Sequence, residues 1–310
     1  MIAVLAGGVG AARFLSGLVQ VVDPAEVTAI VNVADDFVLH GLNISPDLDT
    51  VVYTLAGQIN PETGWGLVDE TWRAMEALRS FGHDAWFNLG DRDLGTHLYR
   101  TTKLAEGATL SEVTAAVASS WGLTCRIVPV THDPIGTRVG LVDGTEVDFQ
   151  EYFVHLGHDV AIESVRFAGA AQAKPAPGVL ETIAAAEVVV IAPSNPVVSI
   201  EPIFAVAGVE EAVQGRRENA VAISPIIAGE ALKGPAGRML RELGEESSVV
   251  GVARRYRHRA ATLVIDEADR DLRADVELAG LRAVIAPTVM SRPGVAASLA
   301  VTAIEAGRSS

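Results

Sequence analysis

The fold of this chain is decided by a stretch near its N-terminus, AGGVGAARFL at residues 6–15. A short apolar run, Ile2–Ala6, leads into the stretch, and a helical pattern over Ala11–Val21 follows it. Glycines let a backbone approach a ligand closely, and the start of a helix offers N–H donors to an anion. The stretch lacks the lysine of a P-loop and the glycine spacing of a dinucleotide fingerprint. It therefore indicates a strand–loop–helix unit suited to a phosphate, with a tight turn that binds nothing as the alternative.

Further apolar runs are typical of strands that are buried on both faces. They are Val27–Val33, Arg126–Val130, Val188–Ala192, Ala220–Ser224 and Ala283–Pro287. Helical patterns separate many of these runs. We therefore predict an α/β fold, a Rossmann-like and mostly parallel sheet with helices on both faces. Because ligands of such sheets bind beyond the carboxyl ends of the strands, the residues just after each run are the candidates for a site.

Two segments depart from this alternation. Residues 51–120 have helical spacing, best over Thr71–Arg79 and Ser111–Ser120, and few strand signals. We predict a smaller helical lobe there, beside a nucleotide-binding core formed by residues 1–50 and 121–310. Asp143-Gly144, between two alternating runs, predicts a β-hairpin with a type I′ turn that adds antiparallel to the main sheet.

Composition excludes several classes of function. The 310 residues include 24 Lys and Arg against 39 Asp and Glu, a net charge of −15. Such an acidic surface repels polyanions, so we expect no nucleic-acid or membrane partner, and a phosphate ligand needs local help from N–H groups, a few cations or a metal ion. The single cysteine, Cys125, excludes an internal disulfide and a cysteine-based zinc site. Without a signal or membrane-spanning pattern, the expected location is the cytoplasm.

Acidic residues occur in two pairs near the first strands. Asp35 and Asp36 follow the second apolar run, and Asp47 and Asp49 lie two positions apart, on the same side of an extended segment. Paired carboxylates can bind magnesium or orient a hydroxyl group. The alternative is structural: one pair closes a turn, and the other caps the helix that begins near Val51.

Three later stretches carry polar groups suited to a phosphorylated ligand. In FNLGDRDLGTHL, at 87–98, Arg92 could hold a phosphate between two aspartates, or the segment could simply begin a helix. We interpret His97 as a packing residue. IAPSNPVVSI, at 191–200, and ISPIIAGEALKG, at 223–234, each follow a strand run and offer Ser194, Asn195 and Lys233 to a base or phosphate. Each of these two stretches could equally be an ordinary strand-to-helix loop.

Six stretches have now been described: the glycine loop, the two segments with acid pairs and the three later polar stretches. Taken together and in this order, they resemble the 2-phospho-L-lactate transferases and the related phosphoenolpyruvate transferases of coenzyme F-420 biosynthesis. The resemblance runs from Gly7 to about Gly234, and more weakly to the C-terminus. It implies a donor in which guanosine diphosphate carries phospholactate or phosphoenolpyruvate. The implied acceptor is the deazaflavin Fo, whose ribityl hydroxyl attacks the phosphorus that bears the three-carbon acid, with release of GMP. Mg²⁺ and a homodimer are expected, and the partners are these small molecules.

The resemblance also implies roles for particular residues. Asp49 and Asn88 fall on the positions that bind Fo, and Asp49, Asp35 and Arg92 are the expected catalytic residues. Asp35 and Asp49 are the first metal candidates, followed by Asp36 and Asp47. The guanine nucleotide is expected on residues that follow three of the strand runs: Gly8, Gly10, Arg13, Ser194, Asn195, Ser224 and Lys233.

Two other functions are compatible with parts of the sequence. The first is a non-enzymatic regulator of the gluconeogenesis-factor type, which binds nucleotide sugars and resembles this chain at the glycine loop. The stretches Ser45–Thr50 and Leu89–Leu94 match the transferases instead and favour the enzyme. The second is a nicotinamide-dependent oxidoreductase, which only the glycine loop and the α/β pattern suggest. The choice between a lactyl and an enolpyruvyl donor stays open.

Overall fold

The structure, a computed structural model, describes residues 1–232 and 234–309. Lys233, one of the predicted nucleotide-binding residues, lies outside the described residues. The strands of the described part are β1 (Ile2–Ala6), β2 (Val27–Val31), β3 (Phe37–Leu39), β4 (Leu42–Ile44), β5 (Arg126–Pro129), β6 (Gly136–Leu141), β7 (Glu146–Asp148), β8 (Ile162–Ala168), β9 (Val188–Ile191), β10 (Ala220–Ile223), β11 (Ile226–Ile227), β12 (Glu230–Ala231), β13 (Thr262–Ile265) and β14 (Arg282–Ile285).

Helices connect most of these strands. The α-helices are α1 (Gly8–Leu18), α2 (Pro46–Leu55), α3 (Arg73–Ser80), α4 (Asp93–Ala105), α5 (Leu110–Ser120), α6 (Val179–Ala185), α7 (Glu201–Phe204), α8 (Val209–Gln214), α9 (Ala236–Glu242), α10 (Val249–Tyr256), α11 (Arg273–Leu278) and α12 (Val295–Arg308). Short 3₁₀ segments cover Pro24–Glu26, Arg217–Asn219 and Glu267–Leu272, and π-helical turns cover Glu151–His155 and Pro196–Ile200.

The central sheet has seven strands in the order β5-β2-β1-β9-β10-β13-β14, and every pair is parallel. The chain first builds outward from β1 to one edge, then returns to β9 and builds to the other edge. Because right-handed crossovers in opposite directions place helices on opposite sides, the sheet is covered on both faces. This is the predicted Rossmann-like α/β fold, and its topological switch point lies between β1 and β9.

Short β-branched runs explain the position of the strands. All residues of β1, β2, β9 and β10 are buried, as expected for strands covered on both faces. The six strands predicted from such runs all occur in the central sheet. β13, with the sequence TLVI, was not predicted, although it is as long as the predicted strands β9 and β10.

The predicted hairpin exists, but two of its details were wrong. β6 pairs with β7 and with β8 in a separate three-stranded antiparallel sheet, so the hairpin is not an addition to the main sheet. Its turn is not type I′, because Gly144 has a positive φ of 86° and Asp143 does not. The Leu141 N–H bonds to the Thr145 carbonyl across a three-residue loop, which is the geometry of a type I turn followed by a left-handed residue.

A second, small hydrophobic core lies beside the main one. It contains Ile44, Met75, Ala85 and Leu89, with partly buried side chains from β3, β4, α3 and the segment before α4 packed against them. Helices α2 and α5, in contrast, contribute Val51, Val52, Val113 and Val117 to the main core. The lobe with its own core is therefore the β3–β4 hairpin together with α3 and its flanks. The domain boundaries at residues 50 and 120 stay a prediction.

Helix α1 lies so close to α12 that one of its positions admits no side chain. A Cβ atom on Gly17 would overlap the backbone carbonyl of Ala296, and a backbone atom cannot move aside as a flexible side chain can. Gly17 is itself buried within α1. The glycine at this position therefore sets the distance between the two helices.

We expect Gly17→Ala to lower the free energy of unfolding by about 1–3 kcal/mol, since the added methyl group forces α1 and α12 apart. Urea denaturation measures this change. Gly95→Ala is the matched control: Gly95 also lies in a helix, and a Cβ there meets no atom within 4 Å. The control should leave stability unchanged or raise it by up to about 1 kcal/mol. Equal midpoints for the two variants would contradict the close approach of the helices.

Candidate active site

The loop between β1 and α1 lies at the switch point of the sheet. Gly8 adopts a positive φ of 67°, and a Cβ at Gly10 would overlap the carbonyl oxygen of Pro193, which follows β9. Helix α1 begins at Gly8, three residues before its predicted start, so Arg13 lies in the second helical turn rather than the first. The half-buried Arg13 side chain makes no hydrogen bond or ion pair within residues 1–232 and 234–309.

The loop after β9 forms the opposite wall of this crevice. The Asn195 side-chain oxygen accepts the N–H groups of Val197 (2.9 Å) and Val198 (3.4 Å), and so caps the π-helical turn Pro196–Ile200. A Cβ at Gly7 would lie 2.8 Å from the Ser199 carbonyl oxygen. The predicted nucleotide residues Gly8, Gly10 and Asn195 are therefore brought to the two sides of one crevice.

Asn32 joins two of the predicted acids. Its side-chain N–H group donates to Asp35 (3.2 Å) and to Asp47 (3.0 Å), and all three side chains are buried. Burial raises the pKa of Asp47 to about 6, although hydrogen bonds from Asn32 and from the backbone N–H of Gly8 oppose the rise. Burial, with the charge of Asp47, raises the pKa of Asp35 well above its usual range. A Cβ at Gly7 would lie 2.9 Å from Oδ2 of Asp47, so Asp47 lies against the glycine loop.

Asp36 lies next to this pair and is partly buried. Its Oδ2 accepts a 2.6 Å hydrogen bond from the Ser45 hydroxyl, while its Oδ1 is buried and has no hydrogen-bond partner among the described residues. Burial raises the pKa of Asp36 well above its usual range, while Ser45 and Arg100 oppose the rise. One carboxylate oxygen is thus fixed, and the other is free to accept a proton or a ligand.

Asp49 forms a buried ion pair with Arg100 from α4. The guanidinium contacts both carboxylate oxygens, one through Nη2 and the other, Oδ2, through Nη1 at 3.1 Å. Nη1 also lies 3.3 Å from the Asn43 carbonyl oxygen. Although burial opposes its charge, Asp49 holds the pKa of Arg100 above its usual value. Asp49 is therefore held in place by a cation that belongs to the protein.

A buried polar network continues from this ion pair. His97 Nε2 lies 3.1 Å from Asp93 Oδ2, and the Tyr53 hydroxyl donates to Asp93 Oδ1 at 2.6 Å. Although burial opposes it, the hydrogen bond and charge of His97 keep the pKa of Asp93 below its usual range. His97 is buried, as predicted, but it contacts the carboxylate of Asp93 rather than apolar side chains alone. One atom each of Asp49, Asp93 and His97 lies within 4.8 Å of the others, a spacing that could hold a metal ion if Arg100 were not there.

Arg92 and Asn88, two of the predicted residues, lie in the segment between α3 and α4 and are exposed. The Arg92 guanidinium bonds to the Val68 carbonyl, and its backbone N–H donates to Glu70 (2.8 Å), which caps the start of α4. The Asn88 side-chain oxygen accepts a hydrogen bond from Arg79 of α3. Both side chains are therefore positioned by neighbours within the lobe, and their predicted roles stay predictions.

The two predicted serines differ in whether their hydroxyl groups already have hydrogen-bond partners. The Ser224 hydroxyl both donates to and accepts from the backbone of Ile226 (2.9 and 3.1 Å), so it closes a local turn. The Ser194 hydroxyl is buried and has no hydrogen-bond partner in the described part of the chain. The Ser194 hydroxyl can therefore donate a hydrogen bond to a ligand, whereas the Ser224 hydroxyl is already satisfied by the backbone of Ile226.

The sequence did not indicate three residues that organise this site. Asn32 links the two acid pairs, Arg100 holds Asp49, and Ser199 packs against Gly7. Asn32 and Ser199 lie within quoted stretches, so their positions beside Asp35 and Asn195 were available signals. Arg100 is 51 positions from Asp49 and stands in an ordinary helical pattern, so no local signal could have identified it.

Comparison with known proteins agrees with the arrangement of these stretches. Residues 2–289 match the family model described as 2-phospho-L-lactate transferase CofD. The chain belongs to this family. It is therefore a transferase, and the resemblance inferred from the six stretches is confirmed, whereas a non-enzymatic regulator and an oxidoreductase are not supported.

Similar proteins are found in several bacteria. The chain is 44% identical over 309 residues to the phosphoenolpyruvate transferase of Streptomyces griseus, covering 98% of this chain and 97% of the relative. It is 42% identical over 320 residues to the phosphoenolpyruvate transferase of Thermobifida fusca, with the same coverage. Among solved structures, a Bacillus halodurans protein of the UPF0052 family superposes with a TM-score of 0.63 at 18% identity, covering 98% of both chains. That likeness shows a shared fold.

In the described part of this transferase, no helix has both the length and the apolar character needed to cross a bilayer. The cytoplasmic location and the homodimer that the resemblance implies stay predictions.

The Arg100–Asp49 pair should dominate the stability of this site. We expect Arg100→Leu to lower the free energy of unfolding by about 3–5 kcal/mol, because it leaves a buried carboxylate without a cation. Adding Asp49→Asn should restore part of that loss. Urea denaturation compares these variants with Arg241→Leu, which removes an exposed pair with Glu230 (2.9 Å) and should change stability little. If Arg100→Leu and Arg241→Leu lower the free energy of unfolding by the same amount, the Arg100–Asp49 pair does not dominate the stability of the site.

Proposed function

We propose that the protein transfers a phosphoenolpyruvyl or phospholactyl group from a guanosine-diphosphate-linked donor to the ribityl hydroxyl of the deazaflavin Fo, releasing GMP, in coenzyme F-420 biosynthesis. One observation carries the proposal: the buried carboxylate of Asp47 lies against the glycine loop at the switch point of the sheet, and Asn32 joins it to the buried Asp35. In a member of this transferase family, that arrangement suits a diphosphate that binds together with a cation.

The carboxylates fit the Mg²⁺ that the family implies. Oδ1 of Asp35 is buried and has no hydrogen-bond partner among the described residues, and carboxylate oxygens are the ligands that Mg²⁺ prefers. We assign the ion to Asp35 and Asp47 rather than to Asp35 and Asp49, since Arg100 already neutralises Asp49. When bound, Mg²⁺ would neutralise charge on the diphosphate. It would also offset the repulsion between a chain of charge −15 and a polyanion.

The residues of the chain supply positioning and proton transfer. N–H groups of the glycine loop and the unpaired Arg13 bind the diphosphate, and the Ser194 hydroxyl binds the nucleotide. Asp49, fixed by Arg100, orients the acceptor hydroxyl, and the free Oδ1 of Asp36 accepts its proton.

The hydroxyl oxygen then forms a bond to the phosphorus that bears the three-carbon acid. The bond from that phosphorus to the oxygen of GMP breaks, and GMP leaves with the electron pair. This chemistry needs alignment of the two substrates more than a covalent intermediate.

The names of the similar proteins bear on the donor. The relatives from Streptomyces griseus and Thermobifida fusca are both called phosphoenolpyruvate transferases, and they match nearly the full length of this chain. We therefore propose phosphoenolpyruvate as the transferred group. The lactyl donor is the alternative, because the two acids differ by one double bond in a small pocket.

Mixing the purified protein with Fo, Mg²⁺ and each guanylylated donor tests the reaction directly. Mass spectrometry should detect the phosphoenolpyruvyl adduct of Fo together with GMP. EDTA should abolish product formation, and added Mg²⁺ should restore it, because the buried acids need a cation beside the diphosphate. Absence of an Fo adduct with both donors would refute the proposed function, and unchanged turnover in EDTA would refute the metal.

Asp36→Asn tests the proton acceptor. The substitution keeps the size of the side chain and its bond to Ser45 but removes the base, so kcat should fall by about 10²–10⁴-fold. Asp143→Asn is the control, because Asp143 lies in the exposed hairpin turn, away from the acids, and kcat should not change. Steady-state kinetics with saturating donor measures both. Turnover within a few-fold of wild type in Asp36→Asn would assign the proton to another group.

A further inference from the structure

Two histidines contact each other at the surface of the small lobe. Nδ1 of His40 lies 2.9 Å from Nε2 of His83, and the ring centroids are 4.7 Å apart, with an angle of 59° between the ring planes. His40 lies in the turn between β3 and β4, and His83 follows α3. Because 43 positions separate the two residues in sequence, the packing of the hairpin on α3 brings their nitrogens together.

The backbone holds both histidines in place. The β3–β4 ladder continues to the residues on either side of a two-residue turn, His40-Gly41, in which both residues have a positive φ, of 53° and 79°. Asparagine or glycine adopts the first of these conformations more easily than histidine does, so His40 is held there against its backbone preference. The His83 N–H donates to the Leu78 carbonyl of α3 at 3.1 Å. Both imidazoles therefore extend from backbone that hydrogen bonds fix.

The distance between the two nitrogens matches that between two adjacent ligands of one metal ion. Imidazole nitrogens bind first-row metal ions at about 2.0–2.1 Å, so two of them lie about 2.9 Å apart when the angle at the ion is 90°, and about 3.3 Å apart at the tetrahedral angle. The observed separation of 2.9 Å fits the right angle. Square-planar and octahedral complexes, which Cu²⁺ and Ni²⁺ form, have that angle between neighbouring ligands.

The inclination of the rings also suits a shared ion. In a straight N–H···N hydrogen bond of this length, the ring centroids would lie about 5.2 Å apart, since each centroid is about 1.1 Å from its nitrogen. The observed distance of 4.7 Å is shorter, so at least one ring nitrogen points to the side of the other. Two nitrogens that bind one ion at a right angle both point to the side in this way.

Both imidazoles are available as ligands. His40 is partly buried and His83 is exposed, so an ion can reach them from solution. Burial and the charge of His83 lower the pKa of His40, which keeps the ring neutral at neutral pH, and only a neutral imidazole binds a metal ion. No third histidine, cysteine or carboxylate of the described residues forms a ligand group with this pair, so water would complete the coordination shell.

We propose that His40 and His83 form a binding site for a divalent transition-metal ion, Ni²⁺ or Cu²⁺, which links the β3–β4 hairpin to the end of α3. The site differs in chemistry from the carboxylates assigned to Mg²⁺, because imidazole suits transition metals and Mg²⁺ prefers oxygen ligands. The core of the lobe has four buried side chains, and a bound metal ion is a common way to stabilise so small a core. The inference is independent of the proposed function.

Titration of the intact protein with Ni²⁺ tests the site. The protein is purified without a histidine tag, stripped with EDTA and titrated by calorimetry in excess Mg²⁺, so that Ni²⁺ does not bind the carboxylates instead. Wild type should bind one Ni²⁺ per chain. His40→Gln and His83→Gln should each raise the Kd by more than about 100-fold, because each removes one of the two ligands. His258→Gln removes an exposed histidine elsewhere in the chain and should leave the Kd unchanged.

Stability and spectroscopy provide readouts besides affinity. Ni²⁺ should raise the Tm of wild type but not that of His83→Gln, since a ligand that binds only the folded state stabilises it. With Cu²⁺, electron paramagnetic resonance should show coupling to two imidazole nitrogens in wild type, and His40→Gln should lose that pattern. If wild type binds neither ion at millimolar concentration, or both variants bind Ni²⁺ as tightly as wild type, the site does not exist. Because no measurement uses Fo or a donor, that result would leave the proposed function standing.

Discussion

The burial of several carboxylates around a single guanidinium is the constraint on which this site depends. Asp35, Asp47 and Asp49 are all buried, yet within the described chain only Asp49 has an ion pair with an arginine, Arg100. Burying an unpaired carboxylate costs several kcal/mol, by order of magnitude, and hydrophobic residues of similar size would be more stable there. The raised pKa values of Asp35 and Asp47 express that cost. An arrangement so unfavourable for the isolated fold is understandable if a cationic ligand completes it.

The parallel sheet concentrates these charges without any long loop. Because β1, β2 and β9 are adjacent and parallel, the residues after each strand meet at one edge. Asn32 follows β2 directly and donates to Asp35 and Asp47, while the loop after β1 approaches Asp47 so closely that a Cβ at Gly7 would lie 2.9 Å from its Oδ2. The glycine at position 10 is the geometric condition, since any side chain there would collide with Pro193. Backbone proximity and carboxylate placement therefore follow from the same strand order.

How much of this was predictable depends on whether the signal was local. Strand runs such as Val188–Ala192, the glycine loop and the acid pairs could be identified because each is encoded within a few residues. β13 was missed although its run is as long as that of β9. The placement of the hairpin in a separate sheet was missed because a local turn signal does not encode which sheet a hairpin joins. Arg100 was missed for the same physical reason: its role exists only after two distant helices pack.

That packing also explains how the small lobe is held against the rest of the molecule. The lobe has a core of only a few buried side chains, too small to fix its position by hydrophobic contact alone. A polar contact from α4 supplies a connection, because Arg100 binds both Asp49 of α2 and the carbonyl of Asn43 in β4, which belongs to the lobe. Asp49, which we propose to orient the acceptor hydroxyl, is thus bound by the same guanidinium that contacts the lobe. One buried arginine therefore fixes both the Asp49 carboxylate and the position of β4 relative to α4.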